Sequence, residues 1–248
     1  MTKYLNPFKY LKFINKKINQ HKIKKLEKKI NNINYLSKKL KNISSVDKLL
    51  EFHFNTFSSN EHINKEMFKI LLDLGSGSSL EILETGSSAH GTKSSVLFAN
   101  YVNLFGGHLD TIDLNPDIKF KYKYLESDNV KFHTGDSVEF IKNLDKQYIK
   151  NLDLVYLDSF DLDVENPAPS QNHGFQEFVN IYEHMKKGSY IAIDDTPTSF
   201  DKFGLLKENK YNFTPGKGRL VLEFLEDNTK LFEIIFHDYA VVLKKIYS

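Results

Sequence analysis

The chain has 248 residues, with 40% hydrophobic and 27% charged side chains, a composition that buries a sizeable core and excludes a disordered or fibrous polymer. It contains no cysteine, which removes disulfides and thiolate metal sites, and no run of 18 or more apolar residues that reads as a membrane span. The formal net charge of +2 conceals an asymmetry: residues 1 to 43 carry 13 lysines against one acid, Glu27, while the rest is net acidic.

In chain order, the first element is a basic arm, assigned to residues 1–60, with the main domain taken as 61–248. In "HKIKKLEKKINNINYLSKKLKNI" Ile23, Leu26, Ile30, Ile33, Leu36, Leu40 and Ile43 recur three or four apart, which predicts an amphipathic helix. Such a helix docks on the main domain or pairs with a second copy. Tyr4, Phe8, Tyr10 and Phe13 among lysines also suit an anionic membrane surface. Nucleic acid is disfavoured, because Arg219 is the only arginine in the chain and bidentate phosphate or base recognition lacks its usual donor. With no apolar leader, a cytoplasmic location is expected, at most peripheral to a membrane.

Two glycine turns follow. The first, "DLGSGSS", comes after Ile63, Met67, Ile70, Leu71 and Leu74 at helical spacing, so Gly75 reads as a helix end. The second, "ETGSSAHGTKSS", follows the strand "LEILET" and opens the helix "KSSVLFANYVNLF". A nucleoside-binding loop needs that strand before it and that helix after it, so that amide N–H groups face the ligand. The second turn is therefore the expected ligand loop.

Beyond it, "GHLDTIDL", "NVKFHTG", "LDLVYLDS" and "GSYIAIDD" read as apolar strands, separated by helices at "SVEFIKNL" and "FQEFVNIYEHM". "RLVLEFLEDN" is helical, and "LFEIIFHDYAVVLKKI" makes two strands turning at His237 and Asp238. The expected fold is α/β: a three-layer, Rossmann-like arrangement whose seven-stranded, mostly parallel sheet ends in an antiparallel hairpin.

Glu84, Gly86 and Gly91 around the second turn, Asp113 in "LDTIDL" 22 residues beyond Gly91, Asp136 in "HTGDS" and Asp158 in "LVYLDS" form an ordered series. In this order the chain resembles the class I S-adenosylmethionine-dependent methyltransferases over about residues 65 to 248. The resemblance implies that Glu84, Gly86, Ser87, Gly91, Asp113, Asp136 and Asp158 surround the cofactor. Glu84 is then near its amino acid end and Asp136 near the adenine amino group; the other reading of any one acid at a strand end is a helix cap or a solvated loop. Independently of the family, glycine allows close main-chain approach, and an acid ending the second strand can accept from both ribose hydroxyls. A nicotinamide fingerprint is a poorer match, because the loop offers two glycines rather than G-x-G-x-x-G.

Asp158, Asp194 and Asp195 end the fourth and fifth strands with no basic residue nearby in sequence. Converging carboxylates repel unless a cation joins them, so they are the expected metal ligands, with Mg²⁺ as the ion. "YLDS" and "IDDTP" are similar to the corresponding segments of catechol-type and sugar O-methyltransferases. The other reading of the Asp194 and Asp195 pair is a solvated turn before Pro197, and Asp161 and Asp163 either share the ion or keep their loop wet. His173 in "PAPSQNHGFQEF" is the candidate catalytic base beside Asp158, or else an exposed loop residue or helix cap. His90 within the glycine loop is a further base candidate, or else orders that loop. Pro215, Gly216 and Gly218 around Lys217 suit a mobile lid over an anionic acceptor, or an ordinary exposed loop. The expected activity is O-methylation of a small polar acceptor such as a sugar or glycan precursor, assisted by a divalent ion. The alternative is a non-catalytic nucleotide-binding protein that uses its arm to reach a partner or membrane.

Overall fold

A computed structural model describes Leu71, Leu74 and residues 79–86, 94–198 and 216–247. The basic arm, the boundary at residue 60, Gly75, and Ser87, His90 and Gly91 of the second turn lie outside these residues. Leu71 and Leu74 are helical, in agreement with the helix expected before Gly75.

The described strands are β1 (Leu80–Thr85), β2 (Gly107–Asp113), β3 (Val130–Thr134), β4 (Leu154–Leu157), β5 (Tyr190–Ile193), β6 (Phe232–His237) and β7 (Val241–Lys245). They form one sheet of order β3-β2-β1-β4-β5-β7-β6. The first five are parallel and β7 is antiparallel to both β5 and β6, which is the expected Rossmann-like sheet with its terminal hairpin. The helices are α1 (Ser94–Phe105), α2 (Asp117–Lys121), α3 (Ser137–Lys142), α4 (Lys146–Asn151), α5 (Ala168–Ile181) and α6 (Arg219–Asp227). No described helix is long and apolar enough to cross a membrane.

The apolar runs are continuous because the central strands are covered on both faces. Ile82, Leu154, Tyr156, Ala192 and Val242 pack with Phe98, Tyr101 and Val102 of α1. Their strand neighbours Leu83, Val155, Leu157, Ile191, Ile193 and Leu243 pack with Phe178 and Ile181 of α5 and Val221 and Leu225 of α6. Alternate residues thus serve opposite layers, as the period of two requires.

Two helices escape the sequence reading. α2 and α4 span only five and six residues with no apolar pair three or four apart to mark them, and α4 is fixed locally by Asp145, which accepts from the Gln147 and Tyr148 amides. α5 also begins earlier than expected, at Ala168, inside "PAPSQNHGF". Pro167 and Pro169 do not break it because the first helical turn has no intrahelical use for their missing N–H groups.

Candidate active site

The chain order of the parallel strands reverses between β1 and β4. β2 and β3 extend the sheet on one side of β1, and β4 and β5 extend it on the other. Crossovers therefore leave the sheet in opposite directions at this point, opening a crevice outside the carboxyl ends of β1 and β4. Gly86 stands there with φ +71°, and its amide donates to the Ile112 carbonyl at 2.8 Å. A Cβ at Gly86 would lie 2.4 Å from the Asp158 carbonyl oxygen and 2.6 Å from the Ser159 nitrogen. The close approach visible at this glycine is thus between the exits of two adjacent strands. The sequence reading assigned it to a ligand.

Glu84, two residues earlier, is fully buried. Its two carboxylate oxygens accept from the Ser94 and Ser95 hydroxyls, at 2.5 and 2.6 Å, so β1 is tied to the start of α1 across the intervening turn. Burial pushes the Glu84 carboxyl up to about 7, against the pull of hydrogen bonds from Ser94, Ser95 and Thr111. Because the folded value exceeds the ordinary 4.5, the native state holds this proton more tightly than the unfolded chain. The stabilisation is complete below pH 4.5 and is lost as pH rises through about 7, a swing of about 3 kcal/mol. Glu84→Gln keeps the shape and cannot ionise. Urea unfolding between pH 4.5 and 8 is expected to show the decline in the parent chain and a flatter profile in the variant; equal slopes would refute the assignment.

Asp113 closes β2, half-buried, and its Oδ1 accepts from the Asn115 amide at 2.7 Å. Burial raises its carboxyl above the usual range, the Asn115 amide lowers it, and Asp161 adds to the rise. Asp136 lies just beyond β3, exposed, and caps α3 by accepting from the Glu139 amide at 2.9 Å. Glu84, Gly86, Asp113, Asp136 and Asp158 therefore sit at or just beyond the carboxyl ends of β1 to β4.

The carboxylates after β4 and β5 do converge, and the cation among them is a lysine. Lys217 Nζ reaches Asp158 Oδ1 at 2.9 Å, Asp195 Oδ2 at 3.0 Å and the Asp158 carbonyl at 3.2 Å, with its side chain 3% exposed. Asp194, also buried, accepts from the Tyr156 hydroxyl at 2.8 Å and from the Asp195 amide at 2.8 Å. The Tyr239 hydroxyl donates to the second Asp195 oxygen at 2.7 Å. Burial and then the Asp195 charge raise Asp194 to about 6. Burial, with Asp194 beside it, also drives Asp158 well above the carboxylate range although Lys217 opposes this. For Lys217 burial favours the neutral amine, but Asp158, Asp195 and Asp194 together outweigh it and raise its pKa.

Asp158, Asp194 and Asp195 thus do not fit the Mg²⁺ site expected of them. Among the described residues no group of three or more His, Asp and Glu side chains is arranged to hold an ion. The expectation rested on the lack of a basic residue nearby in sequence, and the basic partner lies 59 residues beyond Asp158. Nor does Lys217 sit on an exposed lid. Its amide donates to the Asp195 carbonyl at 3.0 Å, the Gly218 amide donates to Thr196 Oγ1 at 2.9 Å, and a Cβ at Gly216 would lie 2.5 Å from the Thr196 Cα. The two glycines let this segment press flat against the turn after β5. Asp163 caps its own loop through the Glu165 and Asn166 amides.

His173 is not in a loop and does not open a helix; it sits in the second turn of α5. Its Nε2 is 2.9 Å from the Ser137 hydroxyl at the start of α3 and 3.6 Å from Glu177 Oε1. Glu177 is buried, and that oxygen has no hydrogen-bond partner. Glu177 raises the His173 pKa while burial pulls it down. The Phe160 ring lies 5.5 Å from the imidazole. Phe160 and Asp195 are the two non-glycine residues with positive φ among those described, at 65° and 43°. Each follows a central strand at this end of the sheet. Ser94, Ser95, Tyr156, Glu177, Lys217 and Tyr239 were not singled out from sequence as part of this arrangement. Only the glycines flanking Lys217 hinted at a close approach.

No family model and no curated protein matches the sequence. Among solved structures, the MycE methyltransferase from the mycinamycin biosynthetic pathway, in complex with Mg and SAH, aligns with TM-score 0.55 and 13% identity over 81% of this chain and 52% of that one. The same protein with Mg, SAH and mycinamycin VI aligns with TM-score 0.55 and 14% identity over 81% and 53%. The chain therefore spans about half the length of these neighbours. At such identity the likeness concerns architecture alone: this chain, with its mostly parallel sheet and terminal hairpin, has a Rossmann-like methyltransferase fold.

Proposed function

We propose that the chain is an S-adenosylmethionine-dependent methyltransferase that acts on an oxygen of a small polar acceptor, of the sugar or glycan-precursor class. The observation that carries this reading is the switch point itself, where the Gly86 turn leaves β1 beside Asp158 while Asp113 closes the adjacent β2. These residues suit the cofactor. The turn connects β1 to the amino end of α1, Gly86 adopts a left-handed conformation, and Asp113 offers a half-buried carboxylate to a ribose diol. In this reading Gly86, Ser87 and Gly91 line the cofactor loop, Glu84 holds the ends of that loop together through Ser94 and Ser95, and Asp136 meets the adenine.

When bound, the cofactor supplies an electrophilic methyl group on a sulfonium. The chain's part is alignment and removal of the acceptor proton. Asp158, mostly buried at the switch point and with a raised pKa, is the proposed proton acceptor. His173, held between Ser137 and Glu177, is the second candidate base. No step in this reading passes through a metal, because Lys217 stands among the carboxylates.

Calorimetry with S-adenosylmethionine, followed by a screen for labelled methyl transfer to sugars, nucleotide sugars and phenols, tests the reading. Saturable binding and turnover are expected. Asp113→Ala is expected to weaken binding by about 1 to 3 kcal/mol by leaving polar ribose groups unpaired. Affinity unchanged by that substitution would remove Asp113 from the site. Binding without transfer to any acceptor would favour a non-catalytic nucleotide-binding protein.

A further inference from the structure

The ammonium of Lys217 has three N–H donors, and three oxygens surround it: Asp158 Oδ1, Asp195 Oδ2 and the Asp158 carbonyl. Carboxylate and carbonyl oxygens are also what a hard divalent cation selects. The remaining contacts of the acidic group are fixed elsewhere. Asp195 Oδ1 is taken by Tyr239, and Asp194 is taken by Tyr156 and the Asp195 amide. The lysine is anchored from its own backbone as well, since Gly216, the Lys217 amide and the Gly218 amide all press on Asp195 and Thr196. An ammonium buried this way and a divalent ion cannot occupy the same oxygens, because the two positive charges would meet in a region of little screening.

We propose that Lys217 is a built-in cation that makes this strand-end centre independent of metal. Its ammonium takes the place a divalent ion would occupy between Asp158 and Asp195, and removing it converts the centre into a divalent-cation site. The inference concerns the same crevice as the proposed reaction but does not rest on turnover, so cofactor binding and metal binding can fail separately.

The test uses the full chain in metal-free buffer, titrated with Mn²⁺ and followed by the electron paramagnetic resonance of the free ion, with circular dichroism to monitor folding. The parent chain is expected to leave Mn²⁺ free through the millimolar range. K217A is expected to bind one Mn²⁺ per chain at least about tenfold more tightly than any residual binding by the parent, which is a difference of 1.4 kcal/mol or more. The double variant K217A/D195N is expected to lose the gained site, and K217R to behave as the parent. If K217A unfolds in the absence of metal, Mn²⁺ is expected to restore its fold. Saturable Mn²⁺ binding by the parent that disappears in D195N overturns the proposal. So does a K217A chain that is folded yet leaves Mn²⁺ free, or one that stays unfolded at saturating Mn²⁺.

Discussion

Lys217→Met is expected to cost roughly 3 to 5 kcal/mol of folding stability at pH 8, the usual consequence of removing one partner from a buried ion pair. Methionine keeps most of the length and volume of the side chain, so packing against the turn after β5 is largely retained. What disappears is the charge that Asp158 and Asp195 share, at 2.9 and 3.0 Å. Asp194 is already raised to about 6 and Asp158 well above its ordinary value with the lysine in place. Without it both rise further. The folded variant then binds more protons than its unfolded chain, so its stability falls as pH increases. The deficit relative to the parent is therefore expected to be larger at pH 8 than at pH 5, where protonation relieves the repulsion. Urea unfolding at the two pH values measures this. A loss below about 1 kcal/mol at both would mean that the pair behaves as a solvated surface bridge.

Gly86→Ala is expected to lose on the order of 3 kcal/mol, from a left-handed backbone and a collision with main-chain atoms that no side-chain rotation relieves. In a domain of this size that lowers the melting temperature by roughly 6 to 12 °C. Gly188→Ala separates the two causes. Gly188 has φ +89° but nothing within 4 Å of an added Cβ, so only the conformational cost of about 1 to 2 kcal/mol applies. If the two variants melted together, the contact between Gly86 and Asp158 would not constrain the fold. The same collision would part β1 from β4 at the crevice, so Gly86→Ala is also expected to abolish S-adenosylmethionine binding in calorimetry while Gly188→Ala retains it.

Local pattern was sufficient wherever one element could be recognised without its neighbours. Apolar runs such as "LVYL" and "YIAI" are strands because both faces are buried, and the turn after "LEILET" is followed by a helix. From these the alternation of strand and helix, the parallel sheet and its hairpin could be read. The acids that close successive strands were legible for the same reason: a strand end is a property of the local sequence. The short helices α2 and α4 were not, since neither carries apolar residues three or four apart, as the equally short α3 does at Val138 and Ile141. α5 was misplaced at its start because prolines that forbid a helix interior are permitted in its first turn.

Thus the sequence by itself determined the fold class, the order of the strands along the chain and the row of acids at their ends. The tertiary structure alone decided what those acids touch. Glu84 faces two serines at the start of the next helix, and Asp158 and Asp195, after β4 and β5, enclose a lysine that follows Asp158 by 59 residues. The physical reason is range. Hydrophobic periodicity and capping act over a few residues, whereas a buried charge is neutralised by whichever opposite charge the packed layers bring within about 3 Å, wherever that charge lies in the chain.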